Sequence, residues 1–191
     1  MTKEFSDLTG KILIATPFSM EGNVFHESLI YVIKHTSEGS IGLIFNRPLR
    51  QAPAQSLFSK DQQENVDLKD LELRIHVGGP IEVERGFFLH SNDYDKNVLF
   101  KPSQGSLAIS SNIGILEDIA SGSGPKDNIF IIGYTGWASG QLDYEIENNL
   151  WIASEVDHDL IFSPDTDDKW LKALNTAGVH SDYFVPIQAN C

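Results

Sequence analysis

The chain has 191 residues, of which 41% are hydrophobic and 21% are charged, and this balance is enough to bury one sizeable core. We therefore expect a single domain over residues 1–191. The 27 Asp and Glu residues against 14 Lys and Arg give a formal net charge of -13. A field of this sign makes direct nucleic-acid binding unfavourable, whereas it suits a soluble protein or one that meets a basic partner.

Cysteine usage and the N-terminal region indicate the compartment. Cys191 is the sole cysteine, so one chain can form neither an internal disulfide nor a cysteine-based zinc site. The polar stretch Met1–Gly10 precedes an apolar run, Ile12–Ala15, that is far shorter than the roughly 20 residues needed to span a bilayer. We expect a cytoplasmic protein without a membrane partner.

The first half of the chain indicates short strands separated by turns. Apolar or β-branched runs bounded by Gly, Pro, Asn or Ser predict strands over Lys11–Thr16, Ser28–Lys34 and Ile41–Asn46. Their near-continuous hydrophobicity favours burial on both faces. Gly39 predicts a hairpin between the second and third strands. Residues 50–70 are polar and predict a short helix and a mobile loop.

The second half mixes strands and helices without a regular alternation. Strands are predicted over Leu73–Val77, Gly86–Ser91, Ser106–Ser110, Asn128–Gly133, Trp151–Ser154 and Leu160–Phe162. Helices are predicted over Asn112–Ser121, capped by Ser111 or Asn112, and over Ser139–Asn149 and Asp167–Ala177. This mixture predicts the α+β class rather than a doubly wound sheet.

The first candidate binding cluster is Asn46-Arg47-Pro48, which closes a predicted strand. Pro48 is expected to terminate strand pairing. The Asn46 amide and the Arg47 guanidinium can hold a carboxylate or backbone carbonyls. The alternative is an ordinary strand end with an arginine that fastens a loop.

The second candidate cluster is Gly78-Gly79-Pro80, followed by the predicted strand that ends at His90. Paired glycines allow a ligand or another backbone to approach closely, and His90 has the chemistry of an acid, a base or a ligand. The alternative is a tight turn with a hydrogen-bonded structural histidine. No second histidine or carboxylate lies at metal-ligand spacing, so no metal is predicted.

The third candidate cluster runs from Gly133 through Gly136 and Trp137 to Gln141. We interpret it as a strand that passes through a glycine-rich turn into a helix, and such a turn can present backbone N–H groups to an anion. Phosphate-loop and dinucleotide fingerprints are absent, so no cofactor is predicted. The alternative is that the glycines let Trp137 and the helix pack tightly on the sheet.

Other catalytic templates do not match. The sequence contains neither a Gly-x-Ser-x-Gly elbow nor a His-Glu-x-x-His motif. Asp157-His158-Asp159 and the later aspartates 165, 167 and 168 have no calcium-loop spacing, and we interpret the later group as helix caps. The sequence therefore assigns no catalytic residue.

Taken in order, these clusters resemble the bacterial YqgE/AlgH family. The resemblance extends from Leu8-Thr9-Gly10 to Trp170 and Gly178 and includes Glu145-Ile146 and Asn149-Leu150-Trp151. The family pattern usually has Met where this chain has Thr16, and Glu where it has Asp143. The second difference weakens any role for a carboxylate at position 143.

The resemblance implies an α+β fold in which a bent, branching sheet curls into a barrel-like core with helices packed outside. It also implies a bacterial, cytoplasmic protein. It supplies no reaction, because the family is largely uncharacterised and its label as a transcriptional regulator rests on genetics. This sequence has no basic helix-turn-helix.

Three hypotheses remain open at the level of sequence. The first is a non-enzymatic binding or regulatory protein whose partner is a protein or a small anion. The second is an enzyme whose cleft gathers Asn46, Arg47, His90, Trp137 and Gln141 around a small anionic substrate, with Arg47 as its anchor and His90 exchanging a proton. The third is a transcriptional regulator that binds DNA directly.

Overall fold

The computed structural model describes residues 7–17, 23–57, 68, 71–102, 106–164 and 168–179. The strands are β1 Ile12–Ala15, β2 Leu29–Thr36, β3 Gly39–Ile44, β4 Pro48–Pro53, β5 Glu72–Val77, β6 Ile81–Ser91, β7 Val98–Phe100, β8 Leu107–Ser110, β9 Asn128–Ala138 and β10 Trp151–Ser154. The helices are a 3-10 turn at Ala54–Leu57 and α1 Ile115–Ala120, α2 Gln141–Glu147, α3 His158–Phe162 and α4 Lys169–Thr176.

The strands form one branching sheet. Its main path runs β10-β1-β2-β3-β9-β6-β8-β7, and the β4–β5 hairpin leaves this path at β9. One edge of β9 pairs with β5 in parallel at Phe130–Ile132 and with β3 in antiparallel near its end, while the other edge pairs with β6. The sheet curls into a half-barrel accompanied by a few helices. The predicted α+β class with a bent, branching sheet is thereby confirmed.

Both faces of the sheet are buried at β1, where all four side chains lie in an apolar environment. Ile12 and Ile14 belong to one cluster, to which α3 and α4 contribute. Leu13 belongs to another cluster, which includes Leu142 of α2. A third cluster includes Leu116 of α1. The near-continuous hydrophobicity of the first strands therefore predicted two-sided burial correctly.

Several local predictions were wrong. Residues 160–162 lie in α3 rather than in a strand, because Asp157 caps a helix by accepting a hydrogen bond from Leu160 N at 3.0 Å. Pro48 begins β4 and lies opposite His76 instead of ending strand pairing. A proline is tolerated as the first residue of a strand, where its missing N–H disrupts little.

Several strands are longer than the sequence indicated. β9 continues through residues 133–138, so the predicted glycine-rich turn is part of a strand, with Gly133 at φ 71°. β6 begins at Ile81, ahead of the predicted Gly86, and β7 was not predicted. α1 begins at Ile115, and Asn112 accepts a hydrogen bond from Gly114 N without capping the helix.

The hairpin at Gly39, the strands β5, β8 and β10, and the helices α2 and α4 lie where the sequence predicted them, within a few residues. Of residues 50–70, residues 50–53 lie in β4, where no strand was predicted, and Ala54–Leu57 form the 3-10 turn. Apart from residue 68, most of the predicted mobile loop lies outside the described ranges. Within those ranges, no helix has both the length and the apolar character needed to cross a membrane.

Candidate functional site

Asn46 fastens the connection between β1 and β2. Its side chain is buried, its Oδ1 accepts from Leu29 N at 2.8 Å, and its Nδ2 donates to Glu27 O at 2.8 Å. The neighbouring carbonyl of Arg47 accepts from Val77 N at 2.9 Å. Among the described residues the Arg47 guanidinium has no recorded hydrogen bond or ion pair. The Asn46 side chain is therefore committed to the fold.

His90 is a fully buried histidine held by two hydrogen bonds. Nδ1 lies 2.8 Å from the Ser91 carbonyl, and Nε2 lies 2.9 Å from Ser110 Oγ. A carbonyl can only accept, so Nδ1 carries the proton and Nε2 accepts from the Ser110 hydroxyl. Burial, the largest cause, lowers the pKa of His90. The ring is neutral, and neither nitrogen is left to transfer a proton to a substrate.

Trp137 and Gln141 converge on Glu145, which the sequence analysis did not assign a role. Glu145 Oε2 accepts from the indole N–H groups of Trp137 at 2.8 Å and of Trp151 at 2.7 Å, and Oε1 accepts from Gln141 Nε2 at 2.8 Å. Gln141 Oε1 also accepts from Ala138 N at 3.0 Å. These bonds fix α2 on β9 and β10. The spacing of Gln141 and Glu145 was the available signal.

A serine, histidine and aspartate meet on the same side of the sheet as α2. Ser40 Oγ lies 2.7 Å from His35 Nδ1, and Asp143 Oδ1 lies 3.5 Å from His35 Nε2. The order of groups is that of a hydrolytic triad. Ser40 is only 4% exposed, so its hydroxyl is closed to a substrate. We interpret the contacts as a tie between the β2–β3 hairpin and α2.

The Gly78-Gly79-Pro80 segment crosses closely over β9. A Cβ on Gly78 would lie 2.4 Å from Gly133 O, and a Cβ on Gly79 would lie 2.3 Å from Tyr134 O. The Gly78 carbonyl accepts from Ile44 N at 2.9 Å. The glycines thus join the β3 end, β5 and β9 through their backbones. The backbone that approaches the paired glycines is therefore another segment of this chain, and not a ligand.

The sequence-predicted residues do not line one cleft. His90 lies opposite Asn128 at the start of β9, whereas Trp137 lies nine positions further along the same strand. At about 3.3 Å per residue, this is roughly 30 Å of strand. Asn46, His90 and the Trp137–Gln141 pair each serve a separate packing contact. Pro80 and Gly136, by contrast, both adjoin one exposed surface.

That surface is built on Ile81–Arg85, which we call the β6 arm. All five residues are exposed, with Ile81 39% and Val83 56% accessible. β6 pairs with β9 at Ile81, opposite Tyr134, and again from Gly86, opposite Ile132. The chain therefore advances five residues along β6 where it advances only two along β9. The arm therefore bulges out of the strand ladder, although Val83 Cα lies 3.4 Å from the place of a Cβ on Gly133. A shallow concavity of about 550 Å³ lies against Pro80 and residues 82–85.

The base of the arm is held by Glu82. Its backbone has φ 46°, its Oε1 accepts from the Tyr134 hydroxyl at 3.1 Å, and its Oε2 accepts from Arg85 Nη1 at 3.0 Å. The hydrogen bond from Arg85, followed by that from Tyr134, lowers the pKa of Glu82. The Arg85 guanidinium also lies 5.2 Å from the centre of the Phe87 ring.

Beside the arm lies a small exposed apolar patch, which we call the notch. It contains the exposed Gly136 and, directly opposite on β3, Ile41. A Cβ on Gly136 would lie 3.3 Å from Ile81 Cδ1, so the Ile81 side chain covers this glycine, and the exposed Ile41 and Ile81 supply the apolar surface. Pro80 and Gly136 were predicted from the sequence, whereas Ile41 and the arm were not. The alternation of apolar and charged residues from Ile81 to Arg85 was the signal that identifies an exposed strand.

Two adjoining clefts lie elsewhere and contain none of the sequence-predicted residues. One, of about 460 Å³, lies between β1, β10, α3 and α4; the other, of about 800 Å³, lies beside Lys11 and Lys101. Lys11 is ion-paired with Glu155, and Lys101 with Asp95 at 2.5 Å. In the part of the chain that the structure describes, no group of three or more His, Cys, Asp or Glu is arranged to hold a metal ion.

Comparison with known proteins identifies the family. The family model DUF179, AlgH-like, matches residues 12–182, and the chain therefore belongs to this family. A UPF0301 protein of Rickettsia typhi is 46% identical over 182 residues, which cover 95% of each chain. A UPF0301 protein of Rickettsia akari shows the same identity and coverage. The resemblance found in the sequence is thereby confirmed.

Two solved structures share the fold. The solution structure of the AlgH protein from Pseudomonas aeruginosa matches with a TM-score of 0.73 at 26% identity and covers 100% of both chains. The crystal structure of a protein from Corynebacterium diphtheriae matches with a TM-score of 0.68 at 21% identity and covers 92% of this chain and 90% of its own. The second likeness concerns the fold alone.

Proposed function

We propose that this protein is a non-enzymatic binding or regulatory protein of the bacterial cytoplasm, and that it docks a protein partner on the β6 arm and the notch. The observation that carries the proposal is the exposure of aliphatic side chains, Ile81 and Val83, on a fixed segment that bulges out of the strand ladder. Aliphatic side chains grouped with charged ones on a projecting surface are typical of interaction sites.

The internal use of the polar motif residues supports a binding role over catalysis. Asn46, His90 and Gln141 spend their hydrogen-bonding groups on the fold. The alternative enzyme needs His90 to exchange a proton with a small anionic substrate. The ring is buried and hydrogen-bonded at both nitrogens, which gives that alternative no support. The motif residues therefore build the scaffold that presents the arm.

A protein partner fits better than a small anion or DNA. An anion in the larger cleft would have to displace Glu155 from Lys11 and Asp95 from Lys101. The net charge of -13 opposes a DNA backbone. Regulation by this protein would then proceed through a protein contact, and the single cysteine agrees with a reducing compartment.

The test is site-specific photo-crosslinking of the full chain in bacterial cells, followed by reconstitution. A photoreactive amino acid in place of Val83 should capture a defined partner that the same group in place of Val24 does not. Val24 is a matched control, because it is an exposed valine (62%) outside the arm and the notch. The captured protein is then purified and titrated against the wild type and Val83→Ala.

We expect Val83→Ala to weaken this complex about tenfold, in the range typical of a buried aliphatic anchor. Val24→Ala should leave the affinity unchanged. If no partner survives purification, or if both variants bind equally well, the arm is not the docking surface. Turnover of a model ester or phosphate that fails only in an Arg47 variant would support the enzyme instead.

A further inference from the structure

The edge of the β6 arm is open for hydrogen bonding. β8 pairs with β6 only at Phe88–Ser91, and β9 leaves β6 between Ile81 and Gly86. The backbone groups of residues 82–85 therefore have no ladder partner among the described strands. An extended segment that meets such an edge can continue the sheet, with main-chain bonds for affinity and side-chain pockets for specificity.

The arm is also held in a fixed shape before anything binds. Glu82 is tied to both Tyr134 and Arg85, and Arg85 stacks on Phe87. The backbone at Glu82 adopts a conformation that residues other than glycine seldom take. A segment fixed in this way loses little conformational freedom on binding, and this favours recognition of a second chain.

The charges on the arm determine which charge is favoured on the partner. Glu84 is exposed and has no recorded hydrogen bond or ion pair to any described residue, while Glu82 already has Arg85. Two copies of the arm paired antiparallel about Val83 would place Glu82 opposite Glu84 of the other copy. Like charges facing each other destabilise a strand pair. The arm therefore disfavours its own copy and favours a cationic strand.

The notch supplies the apolar part of the recognition. Ile41 and Ile81, each 39% exposed, offer an apolar surface beside Gly136 against which an aliphatic side chain can pack. Ile81 is also the first residue of the arm, so the notch and the open edge are continuous. Resting on the proposed function, we infer that the partner presents an extended segment of alternating aliphatic and Lys or Arg residues, which adds as a strand to the β6 arm.

The experiment titrates the full chain with a fluorescein-labelled, alternating Lys-Val octapeptide and follows the fluorescence anisotropy. Three comparison peptides are an alternating Glu-Val octapeptide, a block peptide of the same Lys and Val content, and the Lys-Val peptide with alternate amides N-methylated. We expect each comparison peptide to bind at least about tenfold more weakly. N-methylation removes backbone N–H donors and leaves the side chains and charges unchanged, so it tests strand addition.

Protein variants separate local recognition from the general attraction of an acidic protein for a cationic peptide. Glu84→Lys and Glu117→Lys change the net charge equally, and Glu117 is exposed on α1, away from the arm. Only Glu84→Lys should weaken binding, by about tenfold. Gly136→Val adds a side chain where Ile81 Cδ1 already lies, so it displaces Ile81 and should weaken binding similarly, while Val24→Ala should have no effect.

The outcomes distinguish the two proposals. If the crosslinked partner binds through Val83 but the N-methylated peptide binds as well as its parent, or if no peptide binds, strand addition is wrong and the docking surface stands. Equal weakening by Glu84→Lys and Glu117→Lys would also overturn the inference. Association of the chain with itself through the arm, detected by sedimentation, would overturn the choice of a cationic partner.

Discussion

At the scale of single residues, the conspicuous polar side chains of this sequence fasten its structure. Asn46 joins a connection to a strand end, and His90 joins β6 to the serine of β8. A buried polar group is stable only when its hydrogen bonds are made. Unusual polar residues beside apolar strands therefore identify such fastening points as readily as they identify active sites.

The strongest fastening point is Glu145, which accepts hydrogen bonds from two indoles and one amide. Glu145→Ala would leave the partly buried N–H groups of Trp137 and Trp151 without an acceptor. We expect the free energy of unfolding to fall by about 2–4 kcal/mol, because unsatisfied buried donors are costly. Urea denaturation followed by tryptophan fluorescence measures this change.

Two controls refine this expectation. Gln141→Ala removes one of the three bonds to Glu145 and also the bond from Ala138 N, both of them exposed, and should cost about 1–2 kcal/mol. Glu117→Ala alters an exposed carboxylate on another helix and should cost nothing measurable. A loss at Glu145 no larger than that at Glu117 would mean that water replaces the carboxylate without penalty.

At the scale of elements, sequence patterns predicted those strands and helices whose local preference agrees with their burial. β1 is a short apolar run that is buried on both faces, and its composition predicts this directly. Residues 160–162 are equally apolar but too few to reveal a period. The cap at Asp157 decides their helical state.

The long strands β6 and β9 show what a local pattern cannot predict. The glycine at position 133 predicts a turn. In the sheet it has a positive φ opposite the bulge of β6, and β9 continues through it. Likewise, Gly79 is required because Tyr134, 55 positions later in the chain, passes against it. Pro80 and Gly136 were selected for the site, but their common neighbour Ile81 becomes evident only when the strands are assembled.

The close crossing at Gly79 can be tested by substitution. Gly79→Ala would put a Cβ 2.3 Å from the Tyr134 carbonyl oxygen, and backbone at this distance must move. We expect a loss of at least about 3 kcal/mol in the free energy of unfolding, measured by urea denaturation. The loss reflects steric overlap in addition to an unfavourable φ.

Gly140→Ala is the matched control for this loss. Gly140 also has a positive φ, 69°, but a Cβ there would have no neighbour within 4 Å. This change should cost about 1 kcal/mol from the backbone conformation alone. Equal losses at the two glycines would show that conformation, rather than the crossing of two chain segments, explains the requirement at Gly79.

At the scale of the whole molecule, acid should destabilise the fold through its buried histidines. Burial, the largest cause, lowers the pKa of His76 to about 4 from 6.5. Between these values the unfolded chain binds a proton that the folded chain does not. Stability therefore falls as the pH drops from 6.5 to about 4, by about 3 kcal/mol for this one group.

The measurement compares the wild type with His76→Gln by urea denaturation at several pH values across this range. The acidic side chains titrate in both proteins, so the difference between the two profiles isolates His76. We expect the wild type to lose its stability relative to the variant as the pH decreases. Parallel profiles for wild type and His76→Gln would contradict the shift.

The branch point at β9 leaves strand edges of the nascent chain open during synthesis. Synthesis proceeds from the N-terminus, so β3, β5 and β6 leave the ribosome before the strand that all three pair with. Until residues 128–138 emerge, the nascent chain carries three open strand edges at once. Such edges are templates for aggregation, and so a message truncated ahead of β9 would yield a fragment that depends on chaperones or is degraded.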